Sequence, residues 1–189
     1  MQGRRFRTTF IDSRTVGEYT ESKETGGGTM LFGCRPIAPG MGHIQGRALL
    51  AQLYEEYTGQ EMPPVLLTGR GKPYFAEGPH FSISHSKGYV FCALSHSPIG
   101  IDAEEADRPM SPALAEKILS PGEYAQWQQA ADPQKALLTF WVLKEAAAKC
   151  SGEGLRGYPR NTDFSLDDKA VTVRDGCLLA VIEEDDDAV

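Results

Sequence analysis

No stretch of this sequence stays apolar for the roughly 20 residues a membrane-spanning helix needs. The Arg-rich N-terminus also lacks the apolar core of a secretory signal, so a cytoplasmic setting is expected. Cysteine is scarce: Cys34, Cys92, Cys150 and Cys177 form no close pair and no metal-ligand spacing, which predicts reduced structural thiols and gives no support to a zinc site. The net charge is -7 and no dense basic stripe is present, which excludes bulk nucleic-acid binding. A Gly-x-Ser-x-Gly elbow is missing as well. Ser84 and His85 are adjacent, but neighbours on a strand point to opposite faces, so nucleophilic serine catalysis is rejected. Nothing resembling Gly-Lys-Ser/Thr follows Gly26-Gly27-Gly28, and residues 12 to 30 therefore read as a polar loop rather than a phosphate cradle.

What is present is uneven in charge. Residues 1–94 carry ten Lys and Arg against eight Asp and Glu, whereas residues 95–189 carry nine against eighteen. A polyanionic ligand would lean on the first part for its phosphate contacts, and a cation would offset the carboxylates of the second. Within the acidic part, Ile99-Gly100-Ile101-Asp102-Ala103-Glu104 alternates in the manner of a strand. Ile99, Ile101 and Ala103 then face one way and Gly100, Asp102 and Glu104 the other, with Gly100 leaving room beside the acids. Paired carboxylates of this kind are either a solvated face or ligands for a hard cation such as Mg²⁺.

Further along, Asp132 and Pro133 supply a helix start, and Leu137, Leu138, Phe140 and Trp141 an apolar stripe. Trp141, Glu145 and Lys149 recur at helical spacing along one face of that helix. Other elements are legible in outline. Arg5 to Ile11 alternates like a half-buried strand, and Gly42 to Tyr57 reads as an amphipathic helix closed by Gly59. Phe81–Ser86, Tyr89–Ser95 and Ile99–Glu104 suggest a three-stranded antiparallel meander, with Lys87-Gly88 at its first turn. Ser120 and Glu123 sit at capping-box spacing. Residues 163–166, 170–174 and 177–183 read as closing strands, and the acidic run from Glu183 to Asp187 as a solvated tail.

Two segments, Ile99 to Glu104 and Trp141-x-x-Lys144-Glu145-x-x-x-Lys149, together resemble the 4'-phosphopantetheinyl transferase superfamily in its two-half, surfactin-synthetase-activating form. Gly71-Lys72-Pro73 and Phe81-Ser82-Ile83-Ser84-His85-Ser86 look like its cofactor-binding segments, in the expected order. The resemblance implies an α+β fold of two similar α/β halves packed as a pseudo-dimer, with antiparallel sheets bearing helices on one side. The expected division is 1–95, with the coenzyme A phosphate contacts, and 96–189, with the metal ligands and catalytic helix, in one compact monomeric unit.

It further implies transfer of the 4'-phosphopantetheine arm of coenzyme A to a serine of an apo acyl or peptidyl carrier protein, with release of 3',5'-ADP. Asp102, Glu104 and Glu145 would hold Mg²⁺. Arg47, Arg70, Lys72, Ser84, His85 and Lys149 would contact coenzyme A, with His85 on its 3'-phosphate. Glu145 is the expected base, a role that competes with metal ligation, and Lys149 either contacts the diphosphate or pairs with Glu145. Two other readings use the same residues: a Mg²⁺-dependent nucleotide phosphohydrolase, and a diverged relative that binds coenzyme A or a carrier without catalysis.

Overall fold

The computed structural model describes residues 6–8, 19–25, 28–155, 162–168 and 170–184. In chain order the elements are β1 (Phe6–Thr8), β2 (Tyr19–Thr25), β3 (Gly28–Pro36), α1 (Gly42–Thr58), β4 (Leu66–Leu67) and β5 (Pro73–Tyr74). They continue with β6 (His80–Ser86), β7 (Tyr89–Ser95), β8 (Ile99–Glu105), α2 (Ala115–Ile118), α3 (Pro121–Gln129), α4 (Pro133–Ser151), β9 (Val171–Arg174) and β10 (Cys177–Glu184). The fold is α+β and its strand pairs are antiparallel. No described helix is long and apolar enough to cross a membrane.

Alternation in 80–95 produces the β6–β7 hairpin, turned through Lys87 and Gly88, both at positive φ as a tight two-residue turn requires. The expected meander ends there. Instead of pairing with β7, β8 crosses to a second sheet and pairs along its length with β10. The first sheet runs β2-β3-β7-β6; in the second, β10 lies between β8 on one edge and β9 and β1 on the other. β1 thus belongs to the sheet of the acidic part, across the 95/96 division. Residues 12–30 are also not simply a loop: β2 and β3 form there, and the polar composition of β2 suits its place at a sheet edge. No strand forms over the described part of 163–166. Glu183 belongs to β10 rather than to a solvated tail, fully buried and accepting a hydrogen bond from the Ser95 hydroxyl. Asp185 to Asp187 lie outside the described residues.

Side-chain alternation sorts the core into three apolar clusters. Leu49, Leu50, Leu53 and Tyr54 of α1 cover the face of the first sheet that carries Val90, Cys92 and Leu94. The opposite face, with Met30, Phe32, Phe91 and Ala93, packs on Ile99, Ile101, Leu179 and Val181 of the second sheet. The outer face of that sheet, with Leu178, Ala180 and Ile182, is covered by α4 and the shorter helices. The order of layers is therefore helix, sheet, sheet, helices. The sheets are also stitched along one edge: the Ile101 and Ala103 amides of β8 donate to the Ser82 and Ser84 hydroxyls of β6, at 3.1 and 3.2 Å. Those serines satisfy backbone donors that β8 would otherwise leave buried and unpaired. All four cysteines are buried and none forms a disulfide among the described residues, and burial pushes the Cys177 thiol up to about 11.

α4 begins as expected, with the Asp132 carboxylate accepting from the Lys135 amide and Pro133 at the first turn. The Ser120–Glu123 capping box forms as well, but Glu123 does more than cap. Its carboxylate accepts from the Ser120 and Phe164 amides and pairs with the Lys144 ammonium at 2.7 Å, both side chains being almost wholly buried. Lys144 also donates to the Thr162 carbonyl, so the pair ties α3, α4 and the 162–164 segment together. Burial holds the Lys144 amine below its usual range while Glu123 pulls it back up. Lys144→Met strands a buried carboxylate and is expected to cost about 3–5 kcal/mol. Urea unfolding should show Glu123→Gln/Lys144→Met losing less than that single change, because no unpaired charge remains.

Candidate active site

α4 packs so closely on the second sheet that most of its residues are buried. Trp141, Glu145 and Lys149, spaced by one turn, form a partly open stripe along it. β8 brings Asp102 and Glu104 under that stripe, because their face of the strand looks toward α4. Gly100 is what permits the approach. A Cβ there would lie 1.9 Å from the Ala146 carbonyl oxygen and 2.5 Å from the Cys150 nitrogen, so its place is under the helix backbone rather than beside the acids.

Asp102 is 5% exposed. Its Oδ1 accepts from the Lys149 ammonium at 2.7 Å and from the Ser84 hydroxyl at 3.2 Å, while Oδ2 is buried with no hydrogen-bond partner. Burial raises the Asp102 carboxyl above the usual carboxylate range, and Lys149 offsets part of that rise. Glu104 is held by Trp141 Nε1 at 3.2 Å and by an ion pair to Arg108. The Glu145 carboxyl is also raised, first by burial and then by the negative charge of Asp102, with Glu104 adding to it. The three acids thus share one electrostatic neighbourhood. Among the described residues, however, no three His, Cys, Asp or Glu side chains are gathered into a ready-made ligand set.

Residues 98–181, which hold all three acids, match the sequence profile of the 4'-phosphopantetheinyl transferase superfamily. That segment, somewhat less than half of the chain, is similar to the superfamily. The chain is 34% identical over 118 residues to 4'-phosphopantetheinyl transferase psf-1 of Bacillus pumilus, over 59% of this chain and 50% of the relative. It is 37% identical over 122 residues to 4'-phosphopantetheinyl transferase HetI of Nostoc sp., covering 58% of this chain and 51% of that one. With 4'-phosphopantetheinyl transferase Sfp of Bacillus subtilis it shares 39% identity over 90 residues, 45% of this chain and 39% of the relative. The chain therefore spans about half or less of the curated relatives' length.

Residues that resemblance to the superfamily implicates in cofactor contact are only partly together. Arg70, Lys72, Glu145 and Lys149 line one cleft of about 280 Å³ between the β4–β5 turn, β6 and α4. Lys72 donates to the Cys150 carbonyl at 2.5 Å, placing a cation at the carbonyl end of α4. Ser84 is 7% exposed, and its hydroxyl accepts from Lys149 and Ala103 and donates to Asp102, which uses its full hydrogen-bonding capacity. His85 emerges on the other face of β6, in a cavity of about 440 Å³ with His43, Lys87 and the start of α1. Arg47 is exposed on α1 and lines neither cavity.

Sequence reasoning missed the Arg108–Glu104 pair, for which four-residue spacing was the available signal. It also missed the use of Ser82 and Ser84 as stitches between sheets, which alternation along β6 could have suggested.

Proposed function

We propose that the chain transfers the 4'-phosphopantetheine arm of coenzyme A to a serine hydroxyl of an apo acyl or peptidyl carrier protein. The observation that carries this reading is the convergence of Asp102, Glu145 and Lys149 at one corner, with Arg70 and Lys72 opening on the same cleft. The serine oxygen bonds to the phosphorus bearing the pantetheine arm, the bond to the neighbouring phosphate breaks, and 3',5'-ADP leaves. Such a displacement needs charge neutralisation and positioning more than a covalent intermediate.

The site fits a hard divalent cation, because the buried, partnerless Oδ2 of Asp102 is an oxygen for which the protein supplies no donor. Asp102, Glu104 and Glu145 would hold the ion. Bound there, Mg²⁺ would polarise the diphosphate and offset its charge. Glu145, whose carboxyl is raised by burial and by the charge of Asp102, is the group placed to take the serine proton when it is not a ligand. Lys149 balances Asp102 and reaches the cleft, where it would meet phosphate oxygens with Arg70 and Lys72. The cavity around His85 is our place for the 3'-phosphate, with Lys87 and the first turn of α1 beside it.

We further read the α1-covered and α4-covered sheets as paired halves of a monomeric pseudo-dimer. Residues 1–95 then mainly carry cofactor contacts and 96–189 the acids, in an enzyme working in the cytoplasm. The layer order supports this: each antiparallel sheet has a long helix on its outer face and turns its inner face to the other.

Incubating the protein with coenzyme A, Mg²⁺ and apo carrier domains, followed by intact mass, tests the activity. The expected result is a carrier heavier by one phosphopantetheine group, lost when the acceptor serine is replaced by alanine. Coenzyme A breakdown with an unchanged carrier would favour a phosphohydrolase. Binding with neither change would favour a non-catalytic relative.

A further inference from the structure

β8 ends at Glu105 and the chain turns at once, with the Arg108 amide donating to the Glu105 carbonyl. The turn brings the Arg108 side chain back to the strand, where its guanidinium pairs with Glu104 Oε1. Trp141 Nε1 donates to the same oxygen at 3.2 Å, and the guanidinium carbon lies 5.8 Å from the centre of the Trp141 ring. Two positions back along the strand, Lys149 holds Asp102 Oδ1. Each carboxylate of the Asp-x-Glu pair therefore already carries a side-chain cation, which accounts for acids that share a neighbourhood without forming a ready-made ligand set.

We propose that Arg108 is a resident counter-cation of Glu104 that a divalent ion must displace, so that it sets how tightly the site takes up metal. This rests on the reading above that Asp102, Glu104 and Glu145 hold the ion. Of the two cations, Arg108 is the one built to yield. Its side chain is 41% exposed at the exit of a strand and can swing into water while keeping contact with the Trp141 face. Lys149 is more enclosed, at 33%, and is also held by Ser84. A compact dication carries twice the charge of a guanidinium whose charge is spread over a plane, so it wins Glu104 only above a concentration set by that competition. The pairing gives Asp102 and Glu104 one counter-charge each in the metal-free protein.

The test is a Mn²⁺ titration of the intact protein at fixed ionic strength, reading free Mn²⁺ by electron paramagnetic resonance. Arg108→Gln removes the competitor and should tighten binding about three- to tenfold. Lys117→Gln is the charge-matched control, since that side chain is exposed in α2 and lines neither the acid cluster nor the proposed cofactor cavities. It should change affinity by less than about twofold, its charge being screened by salt. Circular dichroism melts confirm that both variants are folded. Unchanged or weaker binding in Arg108→Gln, or an equal change in both variants, overturns the competition. Asp102→Asn separates this from the reading it rests on. Binding lost in Asp102→Asn yet indifferent to Arg108→Gln removes only the competitor. Mn²⁺ uptake unaffected by Asp102→Asn removes the metal site, and the competition with it.

Discussion

Asp102→Asn is expected to lower the proposed carrier modification roughly a hundredfold or more and to leave the protein folded, with a melting temperature no lower than that of the parent without divalent ions. The activity loss would follow from removing, in one step, the carboxylate proposed as ion ligand and the partner of Lys149. The stability follows from the sign of the Asp102 shift. Its carboxyl is raised in the folded state above its ordinary value of 3.8, chiefly by burial, so the ionised form opposes folding. The associated stability is fully present below 3.8 and is lost as pH rises through the raised value. A neutral amide removes that cost near neutral pH and gains nothing in strong acid, so the two melting curves should converge on acidification. Lys149, at 33% exposure, can turn to solvent when its partner is neutral. Intact-mass assays and melts at acidic and neutral pH check both halves of the expectation. Parental transfer by Asp102→Asn would dismiss the ion site.

Gly100→Ala should have the largest structural effect. The added methyl group would meet the Ala146 carbonyl and the Cys150 amide, both backbone atoms of a helix that cannot bend locally away. α4 must instead lift from β8, which loosens the outer apolar cluster and draws Glu145 and Lys149 off the acids together. Overpacking against backbone places the cost at about 3 kcal/mol or more, a fall of about 6–12 °C in melting temperature for a chain of this size. Gly69→Ala is the contrasting control, since nothing lies within 4 Å of its added Cβ and its φ is not positive. A Gly100→Ala protein melting with the parent would show that the helix does not rest on this strand as described.

Those two variants mark what the sequence could and could not disclose. Capping at Asp132 and Ser120, the end of α1 at Gly59 and the stripe of Trp141, Glu145 and Lys149 were legible because each depends on residues within a few turns. The partner of β8 was not. Alternation showed that Ile99, Ile101 and Ala103 share a face, but their neighbours Leu179 and Val181 come from the far end of the chain, and periodicity carries no address. The polar β2 was hidden for a related reason: an edge strand is identified by the strand it joins more than by its own composition. Gly100 was singled out for the wrong neighbour, room for acids rather than for a helix. Lys144, next to Glu145 in sequence, belongs to the framework through its buried partner Glu123, a contact that local sequence does not announce.

The inner apolar layer has its own consequence. It draws Phe32 and Phe91 from one sheet and Ile101 and Leu179 from the other, so neither sheet can keep that face dry alone. A single break in the short connection between β7 and β8 would leave two pieces related as obligate subunits. Their persistence would then follow mass action, and an intramolecular fold would acquire a concentration dependence.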